Sequence, residues 1–119
     1  MGQPTAFEVV AEPARRRLLD LLAEGPLPAG ELARRARLSQ PNASRHLRVL
    51  REAGLVEAHP EGRRRLYTVR GEGFAELARW LTPYVLMWQR SLRDLDDTLG
   101  AAGGAGAAAV AAPQERSGR

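Results

Sequence analysis

A mainly α fold with a small β-hairpin is what this 119-residue chain predicts, and three observations predict it. Four short segments before residue 54 carry apolar residues at helical steps of three and four. Two strand-like segments, Leu55 to His59 and Arg64 to Val69, flank a glycine-containing turn. From Phe74 to Leu99 the apolar residues recur at nearly heptad spacing.

Thr5 to Glu12 places Phe7, Val10 and Ala11 at helical spacing and is short enough to need something to pack on. Pro13 suits the first position of a second helix, because a first-turn residue needs no N–H. That helix runs to about Glu24 with Leu18, Leu19 and Leu22 inward, and Gly25 stops it. Gly25-Pro26-Leu27-Pro28 reads as a turn, and a third helix follows from about Pro28 to Arg37 with Leu32, Ala33 and Ala36 inward. Glu31 sits in its first turn, where the helix dipole favours a carboxylate.

The most informative stretch is Leu38 to Val56, LSQPNASRHLRVLREAGLV. The Ser39 hydroxyl can take an orphan backbone N–H as an N-cap, and Pro41 is tolerated in the first turn. Ala43, Leu47 and Leu50 form an apolar stripe, while Gln40, Ser44, Arg45 and Arg48 fall on a separate polar, cationic face. Gly54 offers a left-handed residue to end the helix. Two short helices joined by a tight turn, the second with a polar outer face, make a helix-turn-helix.

A hairpin follows directly, with Pro60-Glu61-Gly62-Arg63 as its turn and Tyr67 and Val69 on one face of the returning strand, so the expected domain is a winged helix-turn-helix. Gly71 to Gly73 then breaks the chain. From Phe74, the positions Leu77, Leu81, Val85, Trp88, Leu92, Leu95 and Leu99 step by 3, 4, 4, 3, 4, 3 and 4, with Pro83 marking a kink or a break into two helices. Trp80, Tyr84, Leu86 and Met87 add a second apolar surface beside this seam. So much apolar girth exceeds what one small domain can cover, which implies a dimer. The expected domain spans 1–99, and 100–119, rich in Ala and Gly, reads as a disordered tail.

Composition narrows the function. All 18 basic residues are arginine, against 14 acids. Between Pro13 and Arg70 there are 13 arginines and six acids, a net +7, so the positive charge gathers on the central segment, as a surface that meets phosphates requires. There is no cysteine, which excludes disulfides and thiolate metal sites. No apolar run approaches the roughly eighteen residues needed to span a bilayer, so the chain is expected in the cytoplasm, with no membrane partner. No nucleophile and base pair, phosphate loop or paired catalytic carboxylates appear, which argues against an enzyme, and no cofactor is expected.

The order helix, helix, helix, reading helix, wing and long helix, together with SQPNASRHLRVLREAGLV, resembles the ArsR/SmtB family of bacterial transcriptional repressors. The segments AEPARRRLLDLL and GRRRLYTV agree with it, and the similarity covers about residues 5–99. The resemblance implies a winged helix-turn-helix homodimer that binds a pseudo-palindromic double-stranded operator until an inducer weakens it. It also implies dimerisation through the first and last helices, here Phe7 and Val10 with Leu77, Leu81, Val85, Trp88, Leu92 and Leu95. The sensor departs from the family's metal-binding members. Where those carry two cysteines spaced by one residue, this chain has Pro28 and Gly30, and its last helix has no histidine. WLTPYVLMW is instead similar to a metal-independent branch, so induction by metal is not expected and an unidentified small molecule is one candidate inducer.

The candidate DNA contacts are Ser39, Gln40, Pro41, Asn42, Ser44, Arg45, His46 and Arg48 on the reading helix and Arg63, Arg64 and Arg65 on the wing. Glutamine can pair bidentately with adenine and arginine with guanine, so Gln40 and Arg45 lead for base readout, with Arg48 on phosphate. His46 shares an edge with Leu47 and Leu50, which favours a packed structural role over phosphate contact. Strand alternation should turn Arg64 away from Arg65. Arg15, Arg16 and Arg17 read as partly structural. His59 alone and the Asp94, Asp96, Asp97 cluster make poor metal sites, and Trp80, Tyr84 and Trp88 either pack the dimer or line a pocket for an apolar inducer. Two other functions fit the same residues: a protein-interaction adaptor on a winged-helix scaffold, and a constitutive DNA binder without an inducer.

Overall fold

A computed structural model describes residues 2–100 of the chain, so the tail expected at 100–119 lies, apart from Gly100, outside the described residues. The elements are α1 (Ala6–Val10), α2 (Pro13–Leu22), β1 (Leu27–Pro28), α3 (Ala29–Ala36), α4 (Gln40–Glu52), β2 (Val56–Glu61), β3 (Arg64–Val69), a 3₁₀ turn at Gly71–Phe74 and α5 (Ala75–Thr98). They fall into two compact units, one up to Ala78 and one from Arg79. The expected winged helix-turn-helix is the fold of the first.

Helix starts follow local chemistry. Thr5 and Glu8 cap α1 reciprocally: the Glu8 N–H donates to Thr5 Oγ1 at 3.2 Å and the Thr5 N–H to Glu8 Oε1 at 2.9 Å. Although Phe7, Val10 and Ala11 mark a stripe in the sequence, α1 buries Ala6 and Val9 instead; Val10 packs partly on the core and Ala11 is exposed. A five-residue helix has barely more than one turn, too little for periodicity to select its inner face. In α2, α3 and α4 the expected apolar stripes are the buried ones, and Leu18, Leu32, Leu47 and Leu50 are sealed from solvent together with Val9, Leu55 and Val56.

Both helices of the helix-turn-helix end in the same way. After α4, Gly54 is left-handed at φ 79°, its N–H donates to Arg51 O, and the Leu55 N–H reaches back to Leu50 O, both at 3.0 Å. After α3 the left-handed residue is Arg37, at φ 60°, with the Leu38 N–H on Ala33 O at 2.9 Å. An arginine there gives no local signal of a helix end, yet the bond pattern matches.

The sheet has three strands, in the order β1-β3-β2, all antiparallel. The third strand corrects the reading of Gly25–Pro28 as turn alone, because Leu27 pairs with Tyr67 and Pro28 with Leu66. Pro28 has no N–H to donate and so is confined to a sheet edge, where β1 sits. The hairpin turn is also tighter than expected: Pro60 pairs with Arg65 and Glu61 with Arg64, leaving only Gly62 and Arg63 to turn the chain. Beyond the wing, Gly71 to Gly73 open a 3₁₀ turn that leads into α5, one helix that runs through Pro83 without a break.

Candidate nucleic-acid interface

The side of α4 that carries Ala43, Leu47 and Leu50 is locked into the core, and this fixes which side chains face outward. Gln40, Pro41, Asn42, Ser44, Arg45 and Arg48 are exposed, and Arg51 continues their row. Ser39 is also exposed, but its hydroxyl already accepts the Asn42 N–H at 3.2 Å, so its work is to start the helix. Gln40 extends its amide nitrogen over Gly30 at the start of α3, where an added methyl would stand 3.6 Å away.

His46 is placed differently from its neighbours. It is half-buried, with Nδ1 3.4 Å from a terminal nitrogen of Arg15. Arginine can only donate, so Nδ1 accepts and the ring proton belongs on Nε2. Burial, then the charges of Arg15 and Arg45, push the ring's pKa below its ordinary 6.5, against a smaller opposing effect from Glu12. The folded-state value is depressed, so the unfolded chain binds this proton more readily. The stability it contributes is present above pH 6.5 and is lost as pH falls below that value. His46 is a neutral packing residue at pH 7 and no cation for phosphate.

On the wing, register alternation sends the three arginines to different places. Arg65 shares a face with Tyr67, and the two line a recess together with Ser44, Arg48 and Arg51 of α4. Arg64 lies on the opposite face and pairs with Glu61 at 3.2 Å. Arg63 sits at the tip. Arg51 and Tyr67 lie beyond the polar face that the sequence marks as Gln40, Ser44, Arg45 and Arg48. The signal for Arg51 was present, since it follows Ser44 and Arg48 at steps of four and three.

The remaining arginines of the central segment are largely occupied by the fold. Arg15 Nε donates to Val9 O at 2.8 Å, Arg16 donates to Val10 O at 2.6 Å, and Arg17 Nε donates to Ala36 O at 3.2 Å. These are the terminal carbonyls of α1 and α3, where a cation also complements the helix dipole. Arg34 and Arg35 both pair with Glu31, whose carboxyl they hold down at about 2 through hydrogen bonds. Arg70 bridges Glu57 and Glu72 at 3.4 and 2.8 Å. The side chains of Arg37, Arg45, Arg48, Arg51, Arg63 and Arg65 have neither ion pair nor hydrogen bond among the described residues, and five of these six lie on α4 or the wing.

Of the residues expected at a dimer interface, Phe7 is half-buried, while Val10 and Leu77 pack in part on the core of their own unit. The second unit presents the larger apolar surface: no residue of α5 is buried, and Trp80, Leu81, Tyr84, Leu86, Met87, Trp88 and Leu95 are 46–55% exposed. Val85 and Leu92 are half-buried. The Trp80 and Tyr84 rings meet at 5.2 Å between centroids, tilted by 48°. His59 contacts Glu57 and Thr68, and among the described residues no group of three His, Cys, Asp or Glu is placed to hold a metal ion.

Comparison with known proteins agrees with this geometry. The family described as bacterial regulatory protein, arsR family, matches residues 12–58. The HTH-type transcriptional regulator Rv2034 of Mycobacterium tuberculosis is 41% identical over 87 residues, which cover 73% of this chain and 78% of the relative. The transcriptional repressor SdpR of Bacillus subtilis is 29% identical over 79 residues, covering 66% and 88%. Among solved structures, the homodimeric winged helix-turn-helix DNA-binding domain Mb0332 from Mycobacterium bovis, a possible ArsR-family regulator, is 33% identical. It covers 66% of this chain and 73% of that one, with a TM-score of 0.56.

Proposed function

Because the chain belongs to the ArsR family of bacterial regulatory proteins, we propose that it is a homodimeric repressor that holds an inverted-repeat DNA operator through α4 and the β2–β3 wing. The observation that carries this reading is the partition of the arginines. The fold occupies those on α2 and α3 and leaves those on α4 and at the wing tip open to a partner. Gln40 and Arg45, near the N-terminal end of α4, supply the donors for base edges in a major groove. Arg48 and Arg63 supply sequence-independent contact with the backbone.

A second copy completes the operator-binding unit through the apolar faces of α5, with Phe7 and Val10 as the contribution of α1. Release falls to a small-molecule inducer, since the chain has no cysteine pair to sense metal. No described helix is long and apolar enough to cross a membrane, and we place the regulator in the cytoplasm with its DNA.

Mobility shift with the DNA upstream of the chain's own gene, against a scrambled duplex of equal length, tests the reading. Arg45→Ala should cost about 1–3 kcal/mol on the native duplex and little on the scrambled one. Replacing Arg63, Arg64 and Arg65 together with alanine should weaken both and flatten the salt dependence. Equal, sequence-blind binding by wild type and both variants would contradict sequence-specific repression and favour an adaptor or a non-specific binder.

A further inference from the structure

We propose that the recess between α4 and the wing is a seat for a single DNA backbone phosphate, with Arg51 and Tyr67 as positioning residues that read no base. The inference rests on the DNA-binding reading above and deepens it.

Two elements build the seat. Ser44, Arg48 and Arg51 come from one face of α4, and Arg65 and Tyr67 come from one face of β3, two residues apart. Three guanidinium groups thus line one small recess. None of them has a carboxylate or carbonyl partner among the described residues, whereas Arg34, Arg35, Arg64 and Arg70 each have a glutamate. Like charges gathered without a counterion repel, and a tetrahedral oxyanion among them removes that cost while accepting forked hydrogen bonds.

Tyr67 supplies an independent indication. Its ring is in the core, with the residue only 8% exposed, yet its hydroxyl has no hydrogen-bond partner among the described residues. No buried side-chain polar atom among the described residues lacks a partner, so its hydroxyl is not sealed in and opens into the recess that it lines. A buried tyrosine ordinarily finds a partner for its hydroxyl, and here an incoming ligand supplies it. Ser44 offers a second hydroxyl. Two hydroxyls and three guanidiniums, all donors and with no acceptor group but the hydroxyl oxygens, suit a phosphate and offer nothing to discriminate one base edge from another. The location agrees, because a phosphate strand runs beside any helix that enters the major groove. A recess flanked by that helix and by the wing holds the strand between the two.

Fluorescence anisotropy of the full chain with the labelled upstream duplex and with a scrambled duplex tests this. Arg51→Gln should lose roughly tenfold in affinity on both duplexes, and its log-log salt slope should be shallower by about 1. Tyr67→Phe keeps the ring in the core and should lose several-fold on both. In a methylphosphonate scan of the upstream duplex, neutralising one phosphate per half-site should cost wild type roughly tenfold and cost Arg51→Gln nothing further. The seat is overturned if Arg51→Gln keeps wild-type affinity and salt slope, if its loss is confined to the native duplex, or if no single neutralised phosphate distinguishes it from wild type. Failure of the wild-type chain to bind either duplex would instead overturn the DNA-binding reading, and the seat with it.

Discussion

Trp88→Glu is expected to convert the dimer to a monomer and to lower affinity for an inverted-repeat duplex by about 100-fold or more. The residue is 54% exposed on a helix with no buried residue, amid Trp80, Tyr84, Leu86 and Met87 at comparable exposure. Scattered apolar residues on a surface need no explanation, but Trp80, Tyr84, Met87 and Trp88 recur at helical steps on one side of α5, and this is the face on which the proposed dimer closes. Covering the tryptophan contributes about 2–3 kcal/mol per copy through its apolar area. A glutamate in its place must be stripped of water without a partner, and two-fold symmetry brings that penalty twice. A monomer would then engage one half-site at a time and forfeit the effective concentration that linkage provides. Light scattering after size exclusion reads the mass, and anisotropy reads the affinity. A monomeric variant with full DNA affinity would separate dimerisation from binding, and a variant that stays dimeric would move the interface elsewhere.

Gly73→Ala should destabilise the first unit by about 1–3 kcal/mol and lower its melting temperature by several degrees. A methyl at this position would lie 2.0 Å from the Gly54 carbonyl oxygen, 2.7 Å from its carbon and 3.0 Å from Leu55 Cδ2. The obstacle is backbone, and that backbone is tied down. Gly54 is the left-handed residue that ends α4, and the Leu55 carbonyl accepts the Arg70 N–H at 2.8 Å. The end of the reading helix, the base of the wing and the turn before α5 therefore meet at one junction. Gly71→Ala is the control, because a methyl there meets nothing within 4 Å. Thermal unfolding followed by circular dichroism compares the two, and equal melting of Gly73→Ala and wild type would contradict the close approach.

How much of this was legible beforehand depended on how local the cause was. The Ser39 cap, the buried stripe of Ala43, Leu47 and Leu50 and the left-handed Gly54 are set by residues within a few positions of one another, and the sequence shows all of them. β1 is not local. Leu27 and Pro28 become a strand only because Tyr67 and Leu66, some 40 residues later, pair with them, while every nearby signal favours a turn. The arginines divide in the same way. A charge count finds the basic central segment but cannot tell Arg17, whose side chain holds a carbonyl of α3, from Arg51, whose side chain has no partner among the described residues. Gly73 reads as a chain break, and its closeness to Gly54 exists only once the wing has folded back. Of the candidate contacts, His46 is the one whose surroundings point most clearly inward, and its edge position beside Leu47 and Leu50 was the available sign.

Hydroxyl-radical footprinting of the wild-type chain on the DNA upstream of its own gene tests most directly whether two copies of α4 and the wing grip an operator. Two protected segments related by a dyad are expected, with their centres one helical turn apart, about 34–36 Å, or a multiple of it. Uniform protection without regard to sequence, or none at a concentration that saturates binding, would contradict the assignment.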